Sequence, residues 1–490
     1  MEYFCLIKVN TVKYLHFVCE MIFLHYNTHN KWRQKMKENV WEKYSEQDLD
    51  EMNVFCEGYK DFISECKTER EVIKFATNLA KKAGFLDLND VINQKIQPKP
   101  GDKIYALNMD KALMLYVLGT EDFEKGLKIV GSHVDSPRLD IKATPLYENS
   151  GFCMVDTHYY GGIKKYQWVA RPLAVHGVVV KKDGTKIDLS IGEKDDEPVF
   201  YISDLLPHLD RNPSAKKDVV EGENLNIIGG TIPNKDAKKD KVKATVISAL
   251  KQYGFEEDDL FSAELEAVPA GRARDCGFDK SLIAGYGQDD RVCAYTSLLA
   301  LMRVQNPKHT CCCMLVDKEE IGSFGATGMQ SKFFENSLAE IMNACGEYGE
   351  LKLRRALTNS QMISSDVTAG FDPNYPGPMN KETDAILCGG LSFNKYTGSR
   401  GKSGANDANP EFIAKLRKIL DENNISYQAT EMGKVDEGGG GTIAFILASY
   451  GMEVIDAGVP LLSMHAPTEI AAKPDIFEAQ KFYHAFYLSD

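Results

Sequence analysis

The sequence predicts an α/β fold: a central mixed sheet with helices on both faces, interrupted by a β-rich section. Three observations predict it. The second half alternates helical patterns with short apolar runs: "RVCAYTSLLALMRVQ", "TCCCMLVD", "SQMISSDV", "NPEFIAKLRKIL", "GGTIAFILASYG" and "VPLLSMHA". Alternation of that kind puts strands in one sheet with helices packed over it. Residues 144–267 have a different texture, with strand-like pieces such as "LAVHGVVVKKDGTKIDLSIG" and frequent turn signals. Finally, 490 residues suffice for a large core and for two domains.

The elements follow in order. Residues 1–35 are rich in aromatic and aliphatic side chains, but Lys8, Lys13 and Glu20 interrupt them. No uncharged stretch reaches the roughly 18 residues a membrane helix needs, and no small-residue cleavage site follows. The expectation is a non-native N-terminal extension, with translation beginning near Met36 and no membrane partner; a peripheral amphipathic segment is the alternative. Residues 36–143 open the main domain. Ser45 and Asp48 form a capping-box pair before "LDEMNVFCEGYKDFISECK", and Thr68 and Glu71 repeat it before "VIKFATNLAKKAG". Gly84 ends that helix as a C-terminal cap. "KIYALNM", "ALMLYVLG" and "LKIVGSHVDSP" read as strands. Residues 144–267 form the inserted β-rich domain, with a charged loop in "NPSAKKDVVEGENLNIIGGTIPNKDAKKD". Residues 268–490 complete the main domain. In "DEGGGGTIAFI" a helix is entered through four glycines, where backbone approaches a substrate or simply turns.

Composition narrows the function. A net charge of −13 argues against a nucleic-acid partner, because phosphate backbones require a basic face. Twelve cysteines are scattered and form no CxxC pair, so reduced, buried thiols in a cytoplasmic protein are expected.

The polar residues fall at strand ends. "LKIVGS" leads to His133 and Asp135, "CCCMLV" to Glu319 and Glu320, "QMISS" to Asp366, and "VPLLSM" to His465. Ligands of open α/β sheets bind outside the carboxyl ends of the strands. Asp289 and Asp290 add a pair where a helix begins. A lone histidine such as His465 is more often structural, and an acidic pair before a helix usually caps it. Five such positions at consistent strand ends are harder to explain that way. Two histidines and three carboxylates suit a pair of divalent ions such as zinc, with one Asp bridging and each ion taking one His and one further carboxylate. An open position would remain for a water whose pKa the ions depress. His133 and Asp135 stand two apart, on one side of an extended chain, so Asp135 is placed to bond the other imidazole nitrogen. If Glu320 is a ligand, its neighbour Glu319 points elsewhere and is free to take a proton from that water.

Together "GSHVDSPRLDIK", "GYGQDDRVCAY", "DKEEIGSFGATG", "SSDVTAGFDPNYPG" and "SMHAPTEI" resemble the aspartyl aminopeptidase and aminopeptidase I family of zinc metallopeptidases. The motifs run in matching order from about Trp41 to the C-terminus, and the likeness is greatest to the bacterial branch. The resemblance implies an exopeptidase with two zinc ions per subunit (cobalt or manganese as substitutes) that removes N-terminal residues from peptides. It also implies that the β-rich insertion is a dimerisation domain and that dimers assemble into a tetrahedral dodecamer. Residue by residue, His133, Asp289, Glu320, Asp366 and His465 match the metal ligands, with Asp289 as the bridge. Glu319 matches the general base, and Asp135 the carboxylate behind the first histidine. His208 matches a histidine that reaches a neighbouring subunit's active site, or is an exposed polar residue of the insertion. Acid-specific members hold the substrate side chain with a positive group. Here Lys395, Arg400 and Lys402 are on offer, but their segment departs from the acid-specific pattern. His158 receives no role. Two alternatives stand beside this reading: carboxypeptidase or deacylase chemistry on the same scaffold, and an inactive, assembly-forming homologue.

Overall fold

The computed structural model describes residues 39–209 and 220–490. The expected N-terminal extension, residues 1–35, lies outside them. Both expected capping boxes form, opening the helices Glu46–Glu65 and Glu69–Lys82. Beyond Lys82 the chain reverses at Gly84, whose φ of 82° suits glycine, while the Phe85 N–H donates to Ala80 O at 3.0 Å.

The main sheet has nine strands and is mixed, as the sequence predicts. At its centre Cys311–Val316, Lys128–His133, Gln361–Ser364 and Glu453–Gly458 lie side by side and parallel. Ala112–Val117 joins one side antiparallel and Leu391–Asn394 the other. The three consecutive cysteines show why these runs are apolar without alternation. Cys311 and Cys313 enter one core with the helices Glu46–Glu65, Gln288–Met302 and Lys473–Tyr487. Cys312 points to the opposite core, under Phe333–Ala344 and Glu350–Asn359. Successive strand residues alternate faces, and here both faces are covered by helices. Each buried aliphatic side chain contributes about 1.5–3 kcal/mol, so these central strands carry much of the stability. All the described cysteines are unpaired.

A second sheet has six strands in the order Lys186–Ile191, Leu173–Val180, Ala263–Pro269, Arg138–Asn149, Phe152–Tyr160, Ile227–Gly230. All its neighbours are antiparallel, and it packs on two small cores of its own. A third sheet of five strands holds Arg274–Cys276, Leu282–Gly285, Glu469–Ala472, Pro460–Leu462 and Thr368–Ala369. This corrects one expectation. The strand before His465 belongs to the five-stranded sheet, not to the central one.

The four-glycine tract also differs from its expected form. The helix after it, Ala444–Ala448, is only five residues long and begins beyond the glycines. A Cβ on Gly438 would stand 1.7 Å from Met432 O, and one on Gly439 1.9 Å from Gly398 O. The glycines allow loops to pack backbone against backbone. No helix among the described residues is long and apolar enough to cross a membrane.

Candidate metal centre

Three neighbouring parallel strands of the central sheet open on the same edge. Lys128–His133 ends on His133, with Asp135 two residues on. Gln361–Ser364 is followed by Asp366. Cys311–Val316 is followed by a single 3₁₀ turn, Glu319–Ile321. Asp289 is the second residue of the helix Gln288–Met302, yet its ψ of 109° is not helical, and no side chain caps that helix. The usual capping role of an acidic pair is therefore not the one Asp289 fills. Its peptide bond to Asp290 is cis. His465 reaches the same edge from the five-stranded sheet, at a φ of 63°.

The carboxylate of Asp289 is shared. Its Oδ1 lies 3.2 Å from His133 Nε2, and its Oδ2 lies 3.3 Å from His465 Nε2. Asp366 Oδ1 stands 4.0 Å from His133 Nε2, and Glu320 Oε1 3.6 Å from His465 Nε2. Two groups result, His133 with Asp289 and Asp366, and Asp289 with Glu320 and His465; within each, one ligand atom per residue lies within 4.8 Å of the others. The structure thus brings all five expected ligands together. Glu319 belongs to neither group.

Hydrogen bonds set the imidazole tautomers. His133 Nδ1 faces Asp135 O at 3.0 Å, and His465 Nδ1 faces Gly162 O at 3.0 Å. A carbonyl only accepts, so each Nδ1 carries the proton and each neutral Nε2 turns a lone pair toward Asp289. Two acceptors 3.2–3.3 Å apart require a positive charge between them. Without metal that charge is a proton. Burial would lower the His465 pKa, but Asp289 and Glu320 outweigh it and raise it to about 10. His133 is raised in the same way, against burial, by Asp135 and Asp289. Glu320 is pushed up by burial and by Asp289, and its buried Oε1 has no hydrogen-bond partner. Crowded carboxylates, an orphaned oxygen and two inward lone pairs fit a divalent cation pair.

Asp135 does more than the sequence reading expected. Its Oδ1 lies 3.3 Å from His133 Nδ1, but the shorter contact of that ring is to its backbone carbonyl. The carboxylate also accepts the backbone N–H groups of Glu319 and Glu320, at 3.1 and 3.2 Å, and the Tyr160 hydroxyl at 2.8 Å. Glu469 escaped the sequence reading altogether. It is buried, accepts the backbone N–H of His465 at 2.8 Å and of Asp289 at 3.0 Å, and is pushed up to about 8 by burial and by Asp289. Its signal was its place four residues after His465 in "SMHAPTEI". Tyr160 and Gly162 were missed too, in "DTHYYGGIKKYQW". His158 of that stretch is exposed and stacks on Tyr159 with ring centroids 5.5 Å apart.

Glu319 is raised to about 7, first by burial, with nearby Asp135 and Asp289 adding to it and both histidines opposing. Beside His465 lies a cavity of about 500 Å³, walled by Tyr166, Asp372, Tyr375 and Leu462 among others. No hydrogen bond or ion pair links His208 or Lys395 to the ligand set. His208 is exposed, and Lys395 Nζ stands 3.7 Å from Asp407 Oδ1.

The family model for aminopeptidase I zinc metalloproteases (M18) matches residues 62–487. A Clostridium acetobutylicum protein named as a probable M18 family aminopeptidase 1 is 56% identical over 456 residues, 92% of this chain and 98% of the relative. The crystal structure of aminopeptidase I from Clostridium acetobutylicum superposes with a TM-score of 0.86 at 54% identity, covering 93% of this chain and 99% of that one. A yeast aminopeptidase 1 (Ape1) structure shares the fold at 23% identity, with a TM-score of 0.72 over 89% of this chain and 97% of that one. The chain belongs to the M18 family, the aminopeptidase I zinc metalloproteases.

Proposed function

We propose that this protein is a two-metal aminopeptidase that removes N-terminal residues from peptides with Glu319 as general base. The sharing of Asp289 between two ligand groups carries the proposal. His133, Asp289 and Asp366 would hold one divalent ion, and Asp289, Glu320 and His465 the other. Nitrogen and oxygen donors suit zinc, with cobalt or manganese as substitutes. When bound, such ions supply Lewis-acid polarisation of a scissile carbonyl and ease the deprotonation of water. The chain's own residues do the rest. A Glu319 carboxylate oxygen takes a proton from water and returns it to the leaving amine, a role for which a pKa near neutrality is well placed. Asp135 holds the backbone of Glu319 and Glu320, so base and ligand are set by one carboxylate. The cavity beside His465 offers room for a peptide end.

Residues 144–267, centred on the six-stranded sheet, are proposed as a dimerisation domain between the two parts of the catalytic domain, 36–143 and 268–490. Dimers would then close into a tetrahedral dodecamer; a related yeast mApe1 structure is described as a dodecamer. His208 would act across a subunit contact. Lys395 and Lys402 both face Asp407, at 3.7 and 3.1 Å, which offsets their charge and favours a neutral or broad substrate preference over an acidic one. Unpaired cysteines suit a cytoplasmic setting.

The test is a panel of aminoacyl chromogenic substrates, assayed before and after dialysis against a strong chelator. Hydrolysis should vanish and return with zinc, cobalt or manganese. Activity that survives complete metal removal would overturn the proposal. Blocking the substrate's N-terminus should abolish cleavage, whereas carboxypeptidase or deacylase chemistry would persist.

A further inference from the structure

Three consecutive residues of the six-stranded sheet and the turn after it touch three members of the metal centre. The strand Phe152–Tyr160 ends with the Tyr160 hydroxyl donating to Asp135 Oδ2 at 2.8 Å. Gly161 follows at a φ of 72°; a Cβ there would meet Glu320 Oε2 at 3.2 Å and Glu320 Cβ at 3.3 Å. The Gly162 carbonyl then accepts from His465 Nδ1 at 3.0 Å. Tyr160 is anchored in its own sheet. It pairs in register with Arg138, whose guanidinium sits 3.8 Å from the Tyr160 ring centroid. Arg138 Nε in turn lies 2.9 Å from Asp140 and 3.2 Å from Glu266, both on the same sheet.

We propose that Tyr160, Gly161 and Gly162 form a positioning segment through which the six-stranded sheet sets the geometry of the metal centre. This rests on the roles proposed above for Asp135, Glu319, Glu320 and His465. The Asp135 carboxylate is a hub with three donors: Glu319 N–H on Oδ1, and Glu320 N–H with the Tyr160 hydroxyl on Oδ2. Removing the hydroxyl leaves the buried carboxylate held only by the two backbone N–H groups and the His133 ring, so the target of the 319–320 turn is less firmly fixed. Gly162 fixes the imidazole of His465 from the other side, as a carbonyl behind a metal-binding histidine does. The inserted sheet is then needed for turnover as well as for assembly, because the docked end of one strand completes the catalytic centre.

The test compares the wild-type metal-loaded protein with Tyr160→Phe, and with Tyr159→Phe as a neighbouring control. In Tyr160→Phe, the protein should stay folded with the wild-type particle size while kcat falls about 10- to 100-fold with little change in KM. Hydrogen exchange at the Glu319 and Glu320 amides should speed up, a readout that does not depend on activity. Tyr159→Phe should match wild type in both measurements. Gly162→Ala, whose Cβ would stand 3.2 Å from His465 Nδ1, should lose metal to a chelator faster. A folded Tyr160→Phe with wild-type kcat, or with wild-type exchange at the two amides, overturns the proposal. Absence of metal-dependent hydrolysis in the wild type would instead sink the aminopeptidase reading, and the exchange comparison would still decide whether Tyr160 supports the turn.

Discussion

Glu469 holds Asp289 by its backbone: Glu469 Oε2 accepts the Asp289 N–H at 3.0 Å, while its other oxygen accepts the His465 N–H at 2.8 Å. One buried carboxylate thus fixes the main chain of Asp289, shared by the two candidate ligand groups, and of His465. Glu469→Gln keeps the size but replaces one acceptor with an NH2 that faces an N–H. Metal affinity or activity should drop about 10- to 100-fold, as for other partners of metal ligands. Metal release to a competing chelator and kcat on the best substrate measure it; wild-type values in both would remove Glu469 from the machinery.

Asp289→Ala should cost more than Asp366→Ala. Asp289 belongs to both ligand groups and Asp366 to one. Elemental analysis, normalised to folded protein, should find both ions missing in the first variant and mainly one in the second. Equal metal content in the two would contradict the bridging role.

Glu319→Gln should separate chemistry from metal binding. Glutamine cannot take a proton, and general-base contributions are about 10²–10⁴-fold in rate. Metal content should hold, because Glu319 stands outside both ligand groups. Glu320→Gln should instead weaken metal binding, since an amide is a poorer ligand than a carboxylate. Metal loss in the first variant and retention in the second would exchange the two roles.

Stability should depend on pH through His176, far in sequence from the metal ligands. Its buried ring lies between Glu71 at 2.8 Å and Glu193 at 3.0 Å, with Lys67 also bonded to Glu193. Burial would lower its pKa, but Glu193 and Glu71 raise it above the ordinary 6.5. A raised folded-state pKa means its contribution is complete below the unfolded value and is lost as pH rises through the folded one. The gap in melting temperature between wild type and His176→Gln should therefore narrow as pH is raised from about 6.5 upward. A gap that widens over that range would refute the assignment.

Much of this protein is legible without coordinates because its signals are local. The capping boxes at Ser45 and Thr68 need only a hydroxyl and a carboxylate three residues apart, and both form. The buried central strands announce themselves as apolar runs, and a run's end shows which side chain meets the sheet edge. His133, Glu320, Asp366 and His465 were readable in that way and Asp289 from the start of a helix, and the joint motif set then matched the five to ligand positions. Glu319 and Glu320 could be named as a pair, with the resemblance assigning each a role.

What decided the rest was packing between segments distant in the chain. That His465 arrives from the five-stranded sheet follows from pairing of Pro460–Leu462 with Thr368–Ala369 and Glu469–Ala472, which no local pattern encodes. Glu469 binds backbone N–H groups, Gly162 offers its backbone carbonyl and Tyr160 holds the Asp135 carboxylate, so their residue types alone carry no metal-binding signature. Asp135 looked like a partner for one imidazole and turned out also to carry the 319–320 turn. By itself the sequence determined the family, the sheet type and the ligand candidates, because those depend on residue type and spacing. Only the tertiary structure decided which oxygen faces which nitrogen, because a hydrogen bond depends on distances that a fold sets between residues as far as 303 apart in the chain.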